Sequence, residues 1–272
     1  ALCERLAVFA PDLIGVSAAF PGQVEQAFAL AIALAPAFPG AHLTAGGPAM
    51  TQLFARLDPA DATAALGPFD TAVLFEGEGA LLDLVRALER GERPKGLVRG
   101  DLIADLGALP APDFAGLPLD RYLSPAPVLP YDPSRGCYHG KCAFCHYGLA
   151  ERGTAPYRER PAEKVAEDLV ALANEHGLCT FYLSEDTIAP RHLSRIARIL
   201  AESRAGLRYA TDIRPEPALR REVCEAWAEG GLIAAALGVE SASQRILERI
   251  GKGVSVRDCA NAIDNLAGAG VA

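Results

Sequence analysis

Basic charge is scarce in this chain. Lysine and arginine total 26 against 34 aspartates and glutamates, a formal net charge of −8. Duplex nucleic acid is bound by clustered Lys and Arg that displace counterions from phosphates, so this balance argues against a nucleic-acid partner. Long apolar runs are missing too. None reaches the roughly 18–20 residues that a bilayer-spanning helix needs. Residues 26–38 are apolar but shorter than that, and they lack the basic flank of a signal peptide. Cysteine is sparse and odd in number, 7 in 272 residues, unlike the dense even sets of secreted disulfide scaffolds. A reduced, cytoplasmic compartment is the simplest expectation. Methionine occurs once, while alanine is frequent and arginine outnumbers lysine. That bias suggests a GC-rich coding source rather than a function. No fixed-period repeat or low-complexity tract is evident. Hydrophobic residues make up 50% and charged residues 22%, as in a globular protein of one large or two ordinary domains.

Three of the cysteines are crowded into one loop. The run Ser134-Arg135-Gly136-Cys137-Tyr138-His139-Gly140-Lys141-Cys142-Ala143-Phe144-Cys145 puts four residues between the first two and two between the last two. A disulfide fits poorly with the compartment. A zinc site of three Cys with His139 or His146 is an alternative, although zinc usually takes four ligands, often from paired Cys-x-x-Cys knuckles. Three thiolates can also hold three irons of a [4Fe–4S] cubane and leave the fourth iron open. An apolar run over 128–131 leads into the loop as a strand would, and Phe144 puts an aromatic ring beside the last cysteine.

The remainder alternates between strand and helix patterns. Short apolar runs predict strands over 12–17, 41–47 and 69–75, and helices over 24–37, 51–57 and 79–89. Residues 91–125 are rich in Pro, Gly, Leu and Asp without a clear period, which predicts a surface-packed linker. After the cysteines come a predicted helix over 161–175, opened by Pro161, and strands over 180–184, 207–212 and 232–239. Helices are predicted over 190–203, 217–229, 243–250 and 256–266. Such alternation implies an α/β fold of parallel strands with right-handed crossovers. Functional groups then gather at the C-terminal ends of the strands. Cys3, Cys179, Cys224 and Cys259 are scattered and read as small hydrophobes, with a weak second-cluster reading for Cys179.

Ser-Arg-Gly-Cys followed by Cys-x-Phe-Cys resembles the cluster loop of radical S-adenosylmethionine (radical SAM) enzymes. Most members have three residues between the first two cysteines, and this chain has four. A second block, Gly238-Val239-Glu240-Ser241-Ala242-Ser243 with Gly251-Lys252-Gly253 beyond it, is similar to the Gly-x-Glu-Ser-x-Ser run and trailing Lys of cobalamin-associated members. The resemblance implies that Cys137, Cys142 and Cys145 ligate a [4Fe–4S] cluster. It implies that the open iron chelates S-adenosylmethionine, whose reductive cleavage gives methionine and a 5′-deoxyadenosyl radical. Phe144 is then expected against the adenine, Glu185 or Asp186 on the amino group, Arg214 on a carboxylate, and Glu240 on the ribose. Ser243 has two readings, a cosubstrate contact or a cap on the following helix. Arg214 has an equal reading as a structural ion pair, and the Glu185-Asp186 pair one as an N-cap acid before Pro190.

The first hundred residues resemble the cobalamin-binding domain that precedes many of these enzymes. Ser17 is expected to face the slot for the nucleotide tail, and Gly46 and Gly47 to let a bulky flat ligand approach the backbone. The Asp-x-His-x-x-Gly motif that supplies the lower cobalt ligand is absent, and His42, inside a predicted strand, is not a plausible replacement. Rossmann-like packing alone is the other reading of this domain. The expected fold is thus a partial Rossmann-like cobalamin-binding domain over 1–95, a linker over 96–126, and an incomplete radical SAM βα partial barrel over 127–272. By the family pattern the chain is expected to be a fragment at both ends. The implied reaction is methyl transfer to an unactivated carbon of a small molecule or peptide, with a reductant such as flavodoxin or ferredoxin. Alternatives are a cobalamin-assisted rearrangement or cyclisation, and a non-catalytic zinc or iron–sulfur binding protein.

Overall fold

A computed structural model describes residues 2–147, 155–184 and 186–272. It divides into two compact units, Ala1–Ile103 and Ala104–Ala272.

The first unit opens with α1 (Leu2–Ala7), β1 (Leu13–Ser17), α2 (Val24–Ala37), β2 (His42–Gly46) and α3 (Pro48–Phe54). It continues through α4 (Pro59–Ala65), β3 (Thr71–Leu74), α5 (Gly77–Glu89) and β4 (Gly96–Arg99). The four strands form one parallel sheet in the order β1-β2-β3-β4. All four residues of β3 are buried, as a central strand covered on both faces requires. Met50, Phe54, Phe69, Leu34 and Leu43 fill the core around it.

Two elements differ from the sequence expectation. Residues 96–99, expected in the linker, pair with β3 from Thr71↔Gly96 to Leu74↔Arg99. The strand is only four residues long with alternating half-buried positions, too short to show a period. Helix α4 was not anticipated. Pro59 starts it in the first turn and Ala62 is its single buried residue, so its apolar stripe is one residue wide.

The second unit contains β5 (Leu129–Tyr131), β6 (Ser134–Arg135), β7 (Arg158–Glu159), α6 (Ala162–His176), β8 (Thr180–Leu183), α7 (Pro190–Ser203), β9 (Arg208–Ile213), α8 (Arg221–Glu229), β10 (Leu232–Leu237), α9 (Gln244–Arg249) and α10 (Val256–Gly268). Strands β10-β9-β8-β5 form a second parallel sheet. The short antiparallel β6–β7 pair, also unanticipated, stands apart at the base of the cysteine loop. Helix α8 begins at Arg221 rather than 217, because residues 217–220 form a turn that buries Leu219.

One face of this sheet is covered by helices. Phe181, Leu183, Tyr209, Ile213 and Leu232 pack with Val165, Leu169, Ile196, Leu200 and Trp227 of α6, α7 and α8. Trp227 is fully buried, and its indole N–H donates to Ser194 Oγ at 2.9 Å. Ser255 and Asp258 form a reciprocal capping box on α10. Beyond α10, the Ala272 N–H donates to Ile233 O at 3.0 Å and the Ala235 N–H to Ala272 O at 2.9 Å, alongside β10.

His42 is the first residue of β2, at the end of the strand opposite Gly46. It is buried, with Nε2 3.0 Å from Thr71 Oγ1, which donates onward to Thr44 Oγ1 at 2.9 Å. Burial pushes its pKa below the usual histidine value, against a smaller upward pull from Asp70. The unfolded chain therefore takes up this proton more readily than the folded one. Stability from a neutral His42 is present above about pH 6.5 and is lost as pH falls, by up to about 1.4 kcal/mol per pH unit. Urea unfolding at pH 7.5 and 5.5 should show a larger drop in the native protein than in His42→Gln, and an equal drop would contradict the assignment.

Candidate radical site and cofactor edges

The cysteine loop leaves β6 through Gly136. That residue has φ 87°, and a Cβ there would lie 2.9 Å from both Ala155 O and Pro156 O, so only glycine fits. Cys137, Cys142 and Cys145 are all free and half-buried. The Gly140 N–H is 3.5 Å from Cys137 Sγ, and the Cys145 N–H donates to Cys142 O at 3.0 Å in a tight turn. Burial raises the Cys142 thiol pKa, and its cysteine neighbours add to the rise. Among the described residues no three His, Cys, Asp or Glu side chains form a group that could hold one metal ion. A cubane takes one thiolate per iron, so its ligands need not converge on a single ion. Three accessible thiols on one loop, one facing a backbone N–H, fit that donor set.

The loop docks on the turn between α9 and α10. The Ala143 N–H donates to Ile250 O at 2.7 Å, and His139 Nε2 lies 2.9 Å from Gly251 O. Arg214, just past β9, donates Nη2 to Lys252 O. Lys252 Nζ in turn donates to Glu240 Oε1 at 2.9 Å. Three consecutive residues, 250–252, therefore bind the cysteine loop to the ends of β9 and β10. Glycine is needed here twice. A Cβ on Gly251 (φ 65°) would lie 2.8 Å from Lys141 O, and one on Gly253 (φ 68°) 3.0 Å from His139 Cε1.

Glu240 has φ 62°, a left-handed backbone that costs a non-glycine residue energy and clusters at functional sites. Its Oε1 holds Lys252, and Oε2 carries no bond among the described residues. Arg214 is 8% exposed; Nη1 pairs with Glu216 Oε2 at 2.6 Å, while the buried Nε has no partner among the described residues. Tyr138 completes this network, its hydroxyl donating to Glu216 Oε1 at 3.1 Å. Asp186 is exposed and accepts from the Tyr147 hydroxyl at 2.6 Å. Phe144 is 55% exposed, a ring free to take a ligand. Ser243 is the residue before α9, but its hydroxyl makes no capping bond, so the capping reading is not met. Glu185 lies outside the described residues. Sequence reasoning gave no role to Tyr138, Tyr147 or Glu216, whose partners lie two to seventy-eight residues away.

In the first unit, Ser17 pairs with Gly46 at the C-terminal ends of β1 and β2. Gly47 has φ 95°, and a Cβ there would lie 2.5 Å from Ala18 O. Its glycine is thus demanded by the chain's own turn, whereas Gly46 has only an ordinary contact, Val73 O at 3.6 Å. Further along the same edge, Phe75 (φ 68°) lies under the Arg99 guanidinium, 3.8 Å from the ring centroid.

A cysteine loop at the end of a parallel βα sheet, locked to a Gly-x-Glu-Ser strand end, is the arrangement of a radical SAM site. The Radical SAM superfamily model matches residues 131–272, more than half of the chain, and the protein belongs to that superfamily. Its members use a [4Fe–4S] cluster and S-adenosylmethionine.

Among curated proteins, the chain is 29% identical over 276 residues to the "uncharacterized methyltransferase PH0819" of Pyrococcus horikoshii, covering 94% of this chain and 57% of that protein. It is 28% identical over 292 residues to the anaerobic magnesium-protoporphyrin IX monomethyl ester cyclase of Cereibacter sphaeroides, covering 96% and 45%. The chain thus spans about half the length of these relatives. Among solved structures, the cobalamin-dependent S-adenosylmethionine radical enzyme OxsB superposes with a TM-score of 0.77 in its apo form, at 18% identity, over 99% of this chain and 41% of OxsB. The OxsB form with aqua-cobalamin and S-adenosylmethionine bound gives 0.75 at 19% identity. No helix among the described residues is long and apolar enough to cross a membrane.

The Lys252–Glu240 pair is unequal, with side chains 8% and 35% exposed. Glu240→Gln leaves the buried ammonium unpaired, while Lys252→Met leaves a carboxylate that water can reach. Denaturant unfolding should show Glu240→Gln costing about 1–3 kcal/mol and Lys252→Met distinctly less. The reverse order would contradict the burial argument.

Proposed function

We propose that Cys137, Cys142 and Cys145 hold the cluster and that the groups around the 250–253 turn hold S-adenosylmethionine beside it. One observation carries this reading. Segments about one hundred residues apart in sequence, the cysteine loop and the Glu240 strand end, are tied together through that turn. When bound, the cluster and cosubstrate supply a 5′-deoxyadenosyl radical and methionine, at the cost of one electron from a reductant such as flavodoxin or ferredoxin.

The chain's own residues position the cosubstrate. Arg214 Nε, which has no partner among the described residues, donates to its carboxylate. Glu240 Oε2 accepts from the ribose hydroxyls, and Phe144 covers the adenine. Asp186, with Glu185 beside it, accepts from the amino group, a charge-assisted bond. Ser243 is a further polar contact past Glu240.

The finer reading is radical methyl transfer to an unactivated carbon, with cobalamin at the edge formed by Ser17, Gly46 and Gly47. The exposed Ser17 beside half-buried Gly46 and Gly47, the relative named a methyltransferase and the cobalamin-dependent structural neighbour support it. Cyclisation with cobalamin in a non-methyl role is a second reading, favoured by the relative named a cyclase. The domain boundaries proposed are 1–103, which takes in β4, a connecting 104–126 and 127–272.

Anaerobic reconstitution with iron and sulfide should give a brown protein absorbing near roughly 400 nm and bleached by dithionite. Each of Cys137→Ala, Cys142→Ala and Cys145→Ala should abolish the chromophore and 5′-deoxyadenosine formation. Zinc bound without iron would sink the radical reading. Label passing from methyl-labelled S-adenosylmethionine into product separates methyl transfer from cyclisation.

A further inference from the structure

The sheet of the second unit has a face turned away from its helices, and one acid on it has no cation among the described residues. Phe181, Leu183, Tyr209 and Ile213 belong to the helix-packed core, so strand alternation puts Tyr182, Ala210 and Asp212 on the opposite face. The register pairs Tyr182 with Ala210, and Asp212 with Ala236. Arg214 follows directly on β9 and Gly238 on β10, with the Gly238 N–H donating to Ile213 O at 3.1 Å and Glu240 two residues beyond. Tyr182 and Asp212 therefore lie one layer beneath the proposed cosubstrate cradle.

The Tyr182 hydroxyl donates to Asp212 Oδ2 at 2.5 Å. Asp212 has no other partner among the described residues. Glu216 and Glu240 at the strand ends differ in this respect, having Arg214 and Lys252, whereas Asp186 past β8 has, like Asp212, a tyrosine hydroxyl as its partner. A half-buried carboxylate without a cation is poorly compensated, and it keeps several free lone pairs. Its flanks are small: Ala210 on its own strand, and Ala234 and Ala236 on the next. The face thus offers an anion that already holds one neutral donor, set among small side chains.

We propose that Asp212 binds a primary ammonium group of the substrate and that Tyr182 is a positioning residue fixing the carboxylate. The substrate class is an aliphatic amine, free or carried on a peptide. This rests on the radical reading above, since it sets the substrate under the cosubstrate.

The test uses the reconstituted full chain with two probes, n-butylammonium and its neutral counterpart n-butanol, followed by saturation-transfer NMR. Butylammonium should bind saturably and butanol should not. Asp212→Asn should weaken butylammonium by at least about tenfold, and Tyr182→Phe should keep it within about threefold, because the charge remains. Equal binding of the two probes, native-like binding by Asp212→Asn, or loss of binding in a folded Tyr182→Phe would each overturn the proposal. Should Asp212→Asn fail to fold, native probe selectivity and Tyr182→Phe still decide. 5′-Deoxyadenosine is measured in the same samples. Selective ammonium binding without 5′-deoxyadenosine overturns the radical reading and leaves the Asp212 site; 5′-deoxyadenosine with unselective probe binding does the opposite.

Discussion

The turn at residues 250–253 is the constraint on which the site depends. Its backbone carbonyls accept, in order, from Ala143, His139 and Arg214, and its lysine reaches back to Glu240. Carbonyl groups offered this way must be satisfied once buried, so the cysteine loop and the β9 end are held by the same accounting that governs any helix terminus. Glycines at 251 and 253 let the loop and the turn approach to backbone contact. A ligand bridging the cysteines and Glu240 then meets a preformed corner, which reduces the ordering cost of binding.

The charges around this corner are mostly neutralised internally. Arg214 spends one Nη on Glu216 and the other on the turn, and Tyr138 steadies Glu216 from the cysteine loop. Among the described residues, Arg214 Nε and Glu240 Oε2 have no partner, and Asp212 has the Tyr182 hydroxyl alone. These are the groups that the proposed cosubstrate and amine contacts would use. Glu240 also holds a left-handed backbone without being glycine, a cost that the Lys252 pair and the β10 end sustain.

Much of this was legible in the sequence, for a physical reason in each case. Strands such as Thr180–Leu183 and Arg208–Ile213 show because buried apolar residues alternate on them. The cysteines show because few functions need three thiols on one loop. Strand β4 was hidden by its four-residue length, and β6–β7 by having two residues each. The tyrosine–acid pairs Tyr147–Asp186, Tyr138–Glu216 and Tyr182–Asp212 join residues 30 to 78 positions apart, and local pattern carries no trace of them. At Gly47 the chain's own close approach to the Ala18 carbonyl also calls for glycine, a contact that local pattern does not reveal.

The central claim is that the 250–253 turn makes one site of two distant segments. Gly251→Ala tests it most directly, because the added methyl meets Lys141 O at 2.8 Å on a left-handed backbone. Equilibrium dialysis of S-adenosylmethionine on the reconstituted variant, with iron counted on the same sample, is the measurement. The account predicts that cosubstrate affinity and iron retention fall together, affinity by about tenfold, a loss of roughly 1.4 kcal/mol. Native affinity with native iron content, in a variant whose shifted turn is verified by its amide exchange, would contradict it.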